Sequence, residues 1–224
     1  MIYILLFTSV FIGYLIALIL KVKEVKSLSI YLAFSGSFLL ALTIFELLPV
    51  VYQNPNKTIG VYIIAGILLQ IILEFFSKGA EHGHIHVHDD KLFPWALFLS
   101  LCIHAFLEGI PLGHSHNHEY LLWAIVIHNV PISIILGTFF MKSQISKNNA
   151  ILFMLLFSLM SPIGSLAGEH LEILMNYKTE ITAIIIGIFL HISTIILFET
   201  SKDHKFNLLK FAAILVGMIV AYLA

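Results

Sequence analysis

The stretch "FPWALFLSLCIHAFLEGIPLG", residues 93–113, is apolar along almost all of its length, yet it carries a histidine and a glutamate near its middle. A helix that crosses a bilayer needs about 20 apolar residues, and this run has that length. His104 and Glu108 are four residues apart, so a helix places them on one face. A charged side chain at the bilayer centre costs about 2.5 to 3.5 kcal/mol on insertion scales and usually marks a function. We therefore predict a transmembrane helix that carries a polar site.

Similar apolar runs recur along the chain. Of its 224 residues, 59% are hydrophobic and 11% are charged, whereas soluble domains carry about 25% charged residues. The mean hydropathy is +0.99. The runs predict eight transmembrane helices, at about residues 2–20, 28–52, 59–77, 93–113, 119–141, 150–171, 180–200 and 206–224. We therefore expect an all-α membrane protein with a single transmembrane domain, residues 1–224, in contact with the lipid bilayer.

The composition argues against several classes of function. The sequence has no glycine-rich phosphate loop of the Walker type, so nucleotide hydrolysis is not expected. The formal net charge of -1 gives no reason to expect a nucleic-acid partner. The single cysteine, Cys102, can form neither an internal disulfide nor a cysteine-based zinc cluster. We expect no organic cofactor.

The lysines predict an orientation in the membrane. Ten of the twelve lie on the side reached after the first, third, fifth and seventh helices, namely Lys21, Lys23, Lys26, Lys78, Lys91, Lys142, Lys147, Lys202, Lys205 and Lys210. The opposite side carries Lys57 and Lys178. Because lysine-rich loops face the cytoplasm, both termini are expected outside it.

A short internal similarity relates the second and seventh predicted helices. The second reads "GSFLLALTI" from Gly36, and the seventh reads "GIFLHISTI" from Gly187. The two helices cross the membrane in opposite directions under the lysine assignment, so the similarity predicts an inverted repeat of helices 1–3 and 6–8 around helices 4 and 5. The helices would then follow a 3+2+3 arrangement, in which two central helices lie between two repeats of three helices. Chance similarity of two apolar helices is the alternative.

The fifth predicted helix brings further polar groups to the depth of His104, because His128 and Asn129 lie near its midpoint. Imidazole nitrogen and carboxylate oxygen suit zinc and other first-row divalent ions. We therefore predict a metal site with His104, Glu108 and His128 as its minimum. The alternative is that His104 and Glu108 bond to each other and only fasten helices together.

Two further features bear on this predicted site. Pro111 and Pro131 lie near it in the sequence, with Gly109, Gly113 and Gly137 around them, and we interpret this arrangement as a cavity. His191 lies near mid-depth in the seventh predicted helix. It is either an additional metal ligand or a buried, hydrogen-bonded residue.

Histidine-rich segments lie on both sides of the membrane. The predicted cytoplasmic loop 78–92 contains "HGHIHVHDD", which supplies His82, His84, His86, His88, Asp89 and Asp90. The outer connection contains "GHSHNHEY", which supplies His114, His116, His118 and Glu119. Such tracts bind metal weakly, and we expect the outer one, together with Glu46, to form the mouth of a metal path. Solvated histidines without a function are the alternative.

These motifs, taken in order, resemble the ZIP family of metal-ion transporters over nearly the whole chain. The resemblance is carried by the histidine-rich loop after the third helix and by "ELLP" at 46–49, "HAFLEGIPLG" at 104–113, "HNVP" at 128–131, "SPIGSLAG" at 161–168 and "GIFLHISTIILFE" at 187–199. The HxxxEG core of the fourth helix is the most specific of them. The resemblance implies uptake of zinc, and often of iron or manganese, through eight helices with both termini outside.

The resemblance also implies roles for individual residues. The family's main metal site would be formed by His104, Glu108 and His128. Several members hold two metal ions, but the positions that would serve the second ion here carry Ala105, Ile132 and Ser161. A one-metal centre resembles what is found in one branch of the family. Asn129 could add a carbonyl oxygen, and Ser133 and Ser161 are weaker candidate ligands.

We accordingly expect a permease that takes up a divalent cation as its substrate, Zn²⁺ first, or Fe²⁺, Mn²⁺ or Cd²⁺. Many isoleucines and asparagines beside lysine-only basic residues are typical of an AT-rich bacterial genome, which would place the protein in the bacterial cytoplasmic (inner) membrane. A homodimer is left open. The alternatives are a non-transporting metal sensor and a membrane-embedded metallohydrolase, which needs a general base that no HExxH motif supplies.

Histidine ligation predicts that uptake depends on pH. An imidazole must be neutral to bind a metal ion, and its ordinary pKa is about 6.5. Uptake into vesicles should therefore fall as the pH drops below about 6.5. Constant uptake between about pH 5.5 and 7.5 would contradict ligation by His104 or His128.

Overall fold

The computed structural model describes residues 1–20, 28–53, 57–77, 95–113, 119–143, 145–199 and 207–223, and the regular elements within these ranges are all helices. A short helix, Glu172–Asn176, connects the sixth long helix to the seventh. The predictions of an all-α fold and of the helix positions are confirmed. The long helices are α1 (Ile2–Leu20), α2 (Ser29–Val51), α3 (Lys57–Ser77), α4 (Trp95–Gly113), α5 (Glu119–Lys142), α6 (Lys147–His170), α7 (Lys178–Glu199) and α8 (Leu208–Leu223).

Seven of the described helices, α1 to α7, are long and apolar enough to cross a membrane. The eighth, α8, is apolar but has 16 residues, which corresponds to about 24 Å of helix where a full crossing takes about 20 residues. The protein is therefore an integral membrane protein. Its last helix is shorter than the sequence suggested.

Polar residues cap the starts of two helices. The Ser146 hydroxyl accepts a hydrogen bond from the backbone N–H of Asn149 at 3.3 Å, at the start of α6. At the start of α8, the side-chain oxygen of Asn207 accepts from the backbone N–H groups of Leu209 and Lys210. These bonds satisfy amide groups that a helix leaves without internal partners.

The helices pack in four main pairs, which are α4 with α6, α1 with α5, α3 with α7, and α2 with α8. Further contacts join α1 to α6 and α2 to α7. They define a first helix group (α1, α4, α5 and α6) and a second helix group (α2, α3, α7 and α8). The two groups meet mainly where α2 contacts α5 and α3 contacts α4. Helix α5 is buried along most of its length, so it lies in the interior of the bundle.

Glycines bring α4 and α6 into backbone contact. Gly109 and Gly113 on α4 face the backbone of α6, and Gly164 and Gly168 on α6 face the backbone of α4. A Cβ atom at any of the four would overlap a carbonyl oxygen of the partner helix. Small residues spaced by four are a common way to pack helices closely in a membrane. The interpretation of Gly109, Gly113 and Gly137 as a cavity is wrong, since Gly137 also packs against α1.

The contact between α3 and α7 gives a test of this packing on a single helix. At Gly66 an added Cβ would overlap the carbonyl oxygen of Ile184, whereas at Gly60 the nearest atom would be the Tyr52 hydroxyl, 3.8 Å away. We expect Gly66→Ala to destabilise the protein by about 1 to 3 kcal/mol, which lowers the unfolding midpoint by several degrees. Gly60→Ala is the matched control and should leave the midpoint unchanged or slightly higher, because alanine favours helix.

Thermal unfolding of the two purified variants in detergent, followed by circular dichroism, measures both midpoints. Equal midpoints for Gly66→Ala and Gly60→Ala would contradict the close contact of α3 and α7.

Candidate metal centre

Helix α4 holds the first two polar groups of the site. His104 and Glu108 occupy one face, one turn apart, and each is 1% exposed. The Nε2 atom of His104 lies 3.1 Å from the Oε1 atom of Glu108. The spacing follows from the helix itself, because residues four apart are neighbours on its surface.

Helix α5 brings the third group against the same carboxylate. His128 is fully buried, and its Nε2 atom lies 3.7 Å from Oε1 of Glu108. The two imidazole rings have centroids 6.2 Å apart and planes inclined at 70°. One carboxylate oxygen is therefore approached by an imidazole from each of two helices.

The three side chains offer ligand atoms that lie within 4.8 Å of one another. Among the described residues, this is the one group of three or more histidine, cysteine or acidic side chains with that geometry. Zinc binds histidine nitrogen and carboxylate oxygen at about 2.0 to 2.2 Å, so small side-chain movements bring all three ligand atoms onto one ion. A divalent cation would also neutralise a carboxylate that has been removed from water.

A family model described as ZIP zinc transporter matches residues 77–224, which is more than half of the chain. The chain belongs to this family. The matched segment contains the whole three-residue group and helices α4 to α8. Membership also means that the chain belongs to a family of transporters rather than of enzymes.

The chain is also similar to a curated protein, Protein zntD of Dictyostelium discoideum. The two are 35% identical over 107 residues, which is 41% of this chain and 16% of that protein. The alignment therefore spans a small part of the relative's length.

In this ZIP protein, two of the positions that would serve a second metal ion carry side chains without ligand atoms, and both lie in an apolar environment. Ala105 on α4 and Ile132 on α5 are 2% and 1% exposed and belong to one hydrophobic cluster, which also contains Leu101, Phe157 and Leu136. Neither side chain can offer oxygen or nitrogen to a second ion. Next to Ala105 and Ile132, the three-residue group is therefore bordered by apolar side chains.

Two polar residues remain near the group along the chain. Asn129 follows His128 and is 1% exposed, and within the described ranges its amide nitrogen has no hydrogen-bond partner. Ser161 is buried on α6, and its backbone oxygen lies against Gly109. Their roles as additional ligands stay predictions.

The structure places His191 in a different contact. Its Nε2 atom lies 2.6 Å from Oε2 of Glu74 on α3, and it does not belong to the three-residue group. Of the two interpretations of His191, the structure therefore favours the hydrogen-bonded residue. Sequence reasoning missed the partner, because Glu74 lies 117 residues away in the chain and near the end of α3.

The predicted outer mouth is described only in part. Glu46 is exposed and lies in a π turn of α2, Thr43–Leu47, just before Pro49. Glu119 is exposed at the start of α5. The other residues predicted for the outer mouth and the cytoplasmic loop lie outside the described residues, namely His114, His116, His118, His82, His84, His86, His88, Asp89 and Asp90.

Glu108 gives a direct test of the site, because it contacts both imidazoles. Glu108→Gln keeps the size of the side chain and removes its charge. We expect the tightest zinc-binding step of the purified protein to weaken at least about tenfold, measured by calorimetry in detergent. The same change at exposed Glu172 should leave that step unaltered, and equal zinc affinities for the two variants would contradict a ligand role for Glu108.

Proposed function

We propose that this ZIP protein carries Zn²⁺ across the membrane toward the cytoplasm, and that His104, Glu108 and His128 hold the ion in transit. The observation that carries the proposal is the meeting of two imidazoles and one carboxylate, all buried, between two membrane-spanning helices. Fe²⁺, Mn²⁺ and Cd²⁺ are further candidate substrates, since these ligand types also bind other first-row and related divalent ions.

The charges of the group favour passage over permanent binding. One carboxylate and two neutral imidazoles supply a single negative charge, so the loaded site keeps a net positive charge. A structural zinc site is usually four-coordinate and closed, whereas three protein ligands leave a position for water. Together these properties support binding that is weak enough for release on the other side.

The arrangement of the helices supports alternate exposure of the site to the two sides. The three ligands lie on α4 and α5, both in the first helix group, and the second helix group covers these helices through α3 and α2. A shift of one group against the other would change which end of the site is open. We therefore place the moving boundary between the two helix groups.

Three glycines support the inverted repeat of helices 1–3 and 6–8. Gly13, Gly36 and Gly66 are each followed, the same number of residues later in the sequence, by a second glycine, namely Gly164, Gly187 and Gly217. The packing repeats in the same way. Exchanging α1 with α6, α2 with α7, α3 with α8 and α4 with α5 converts each of the four main helix pairs into another one. Such symmetry is typical of transporters whose site lies at the repeat interface.

The positions of the lysines support the orientation, with eight spans and both termini outside the cytoplasm. Lys142 at the end of α5 and Lys147 at the start of α6 are exposed. Lys57 at the start of α3 and Lys178 at the start of α7 are exposed as well, and they belong to the opposite side of the membrane. Lys210 differs from a loop lysine, because it is buried and its Nζ donates to the carbonyl oxygen of Leu197. It still belongs to the lysine-rich side. We propose the bacterial cytoplasmic membrane as the location, on composition alone.

The histidine-rich segments extend this proposal to both ends of the path. His114, His116, His118 and Glu119 follow α4 on the outer side, where with Glu46 they would collect the ion. The tract from His82 to Asp90 follows α3 on the inner side and would receive it. Weak, reversible binding by such tracts suits both tasks.

Radiotracer zinc uptake into vesicles that contain the purified protein tests the function. We expect His104→Ala, Glu108→Ala and His128→Ala each to reduce uptake at least about tenfold, because each removes a ligand. Glu172→Ala, an exposed change on the short helix, is the control and should retain wild-type uptake.

The same vesicles separate the alternatives. Wild-type uptake of zinc supports a permease, product formation without uptake supports a membrane metallohydrolase, and binding with neither supports a sensor. Wild-type flux in all three variants would exclude the proposed site.

A further inference from the structure

A second pair of ionisable side chains lies within the membrane-spanning part of the second helix group. His191 on α7 and Glu74 on α3 meet at 2.6 Å between Nε2 and Oε2. Their side chains are 13% and 22% exposed, so the pair is neither sealed in the core nor on the open surface. An imidazole and a carboxylate in such a contact share or exchange one proton.

A buried amide adjoins this pair. Gln70 lies one turn before Glu74 on α3 and is fully buried. Within the described part of the chain, neither its amide nitrogen nor its amide oxygen has a hydrogen-bond partner. Burying both without partners is costly, so this amide indicates a place where a small polar ligand is stabilised beside the pair.

The neighbouring helices define the electrostatic surroundings of the pair. The helices that pack on α3 and α7 are α2 and α4, and α8 contacts α7 through buried Lys210, whose Nζ donates to the carbonyl oxygen of Leu197. Their titratable residues are Tyr31 and Glu46 on α2, and Cys102, His104 and Glu108 on α4. Those of α3 and α7 themselves are Lys57, Tyr62, Glu74, Lys178, Glu180, His191 and Glu199, and the short helix adds Glu172. Lys57, Tyr62, Lys178, Glu180 and Glu172 lie toward the outer ends, whereas Lys210 contacts α7 near its inner end.

We propose that Glu74 and His191 form a binding site for a proton, separate from the metal centre, and that the proton bound there slows the release of the metal ion to the cytoplasm. This inference rests on the proposed uptake function. The pair takes one proton from water, which changes its total charge from -1 to zero. Gln70 stabilises the water that delivers the proton.

The effect on the metal ion follows from charge. The helix that carries His104 and Glu108 packs against α3 and contacts α7, so the unprotonated pair presents its negative charge on the inner side of the metal centre. Such a charge in a medium of low dielectric attracts a departing cation. Protonation removes this attraction, so uptake falls as the pH falls, beyond the loss that protonation of the metal centre causes.

The test is radiotracer zinc uptake into vesicles at equal inner and outer pH, varied between about 5.5 and 8, for wild type, the double variant Glu74→Gln with His191→Phe, and His191→Phe alone. The double variant removes both titrating side chains and is uncharged at every pH, so its uptake should be low near pH 8 and should change with pH at least about threefold less than in wild type. His191→Phe should also flatten the profile. Glu172→Gln makes the same chemical change at an exposed position and should retain the wild-type profile.

The outcomes distinguish the two proposals. Absence of zinc uptake by wild type would overturn the uptake function itself. Normal wild-type uptake with superimposable pH profiles for wild type and the double variant would overturn the proton site alone.

A second measurement applies if the double variant folds, as judged by circular dichroism, but carries no zinc at any pH. Potentiometric titration of the purified proteins should then show that wild type binds about one more proton than the double variant between about pH 5 and 8. Identical titration curves would overturn the proton site.

Discussion

The structure depends on the burial of one carboxylate between two imidazoles. Glu108 is 1% exposed, and the two Nε2 atoms of His104 and His128 approach its Oε1 atom at 3.1 and 3.7 Å. A carboxylate removed from water is stable only with compensating charge or hydrogen bonds. A divalent cation would supply that compensation, and this is the physical reason for proposing the group as a site for an ion in transit.

Packing by small residues makes this burial possible. Where α4 passes α6, glycines on both helices bring the two backbones into contact, and the same device recurs at the contact of α3 with α7. Lipid tails are as apolar as leucine, so helices in a membrane associate through close packing rather than through the hydrophobic effect. Close contact of α4 with α6 fixes the position of α4, and hence the face that carries His104 and Glu108.

The polar groups in the membrane divide between the two helix groups. The three side chains of the candidate metal centre belong to α4 and α5, whereas Glu74 and His191 join α3 to α7. The recurrence of Gly13, Gly36 and Gly66 as Gly164, Gly187 and Gly217 pairs α1 with α6 in the first group, and α2 with α7 and α3 with α8 in the second. The ionisable side chains of the two groups do not follow this recurrence.

The sequence by itself determined the class, the helix positions and the three residues of the candidate metal centre. Runs of apolar residues have one stable solution in lipid, a helix with its backbone bonds satisfied internally, and a spacing of four places His104 beside Glu108. Tertiary structure alone decided the rest. Glu74 and His191 are 117 residues apart, and nothing local to either predicts their contact. Of the glycines that suggested a cavity, Gly109 and Gly113 lie against the backbone of α6 and Gly137 lies against side chains of α1, because only the packing of whole helices determines which face of each helix meets another.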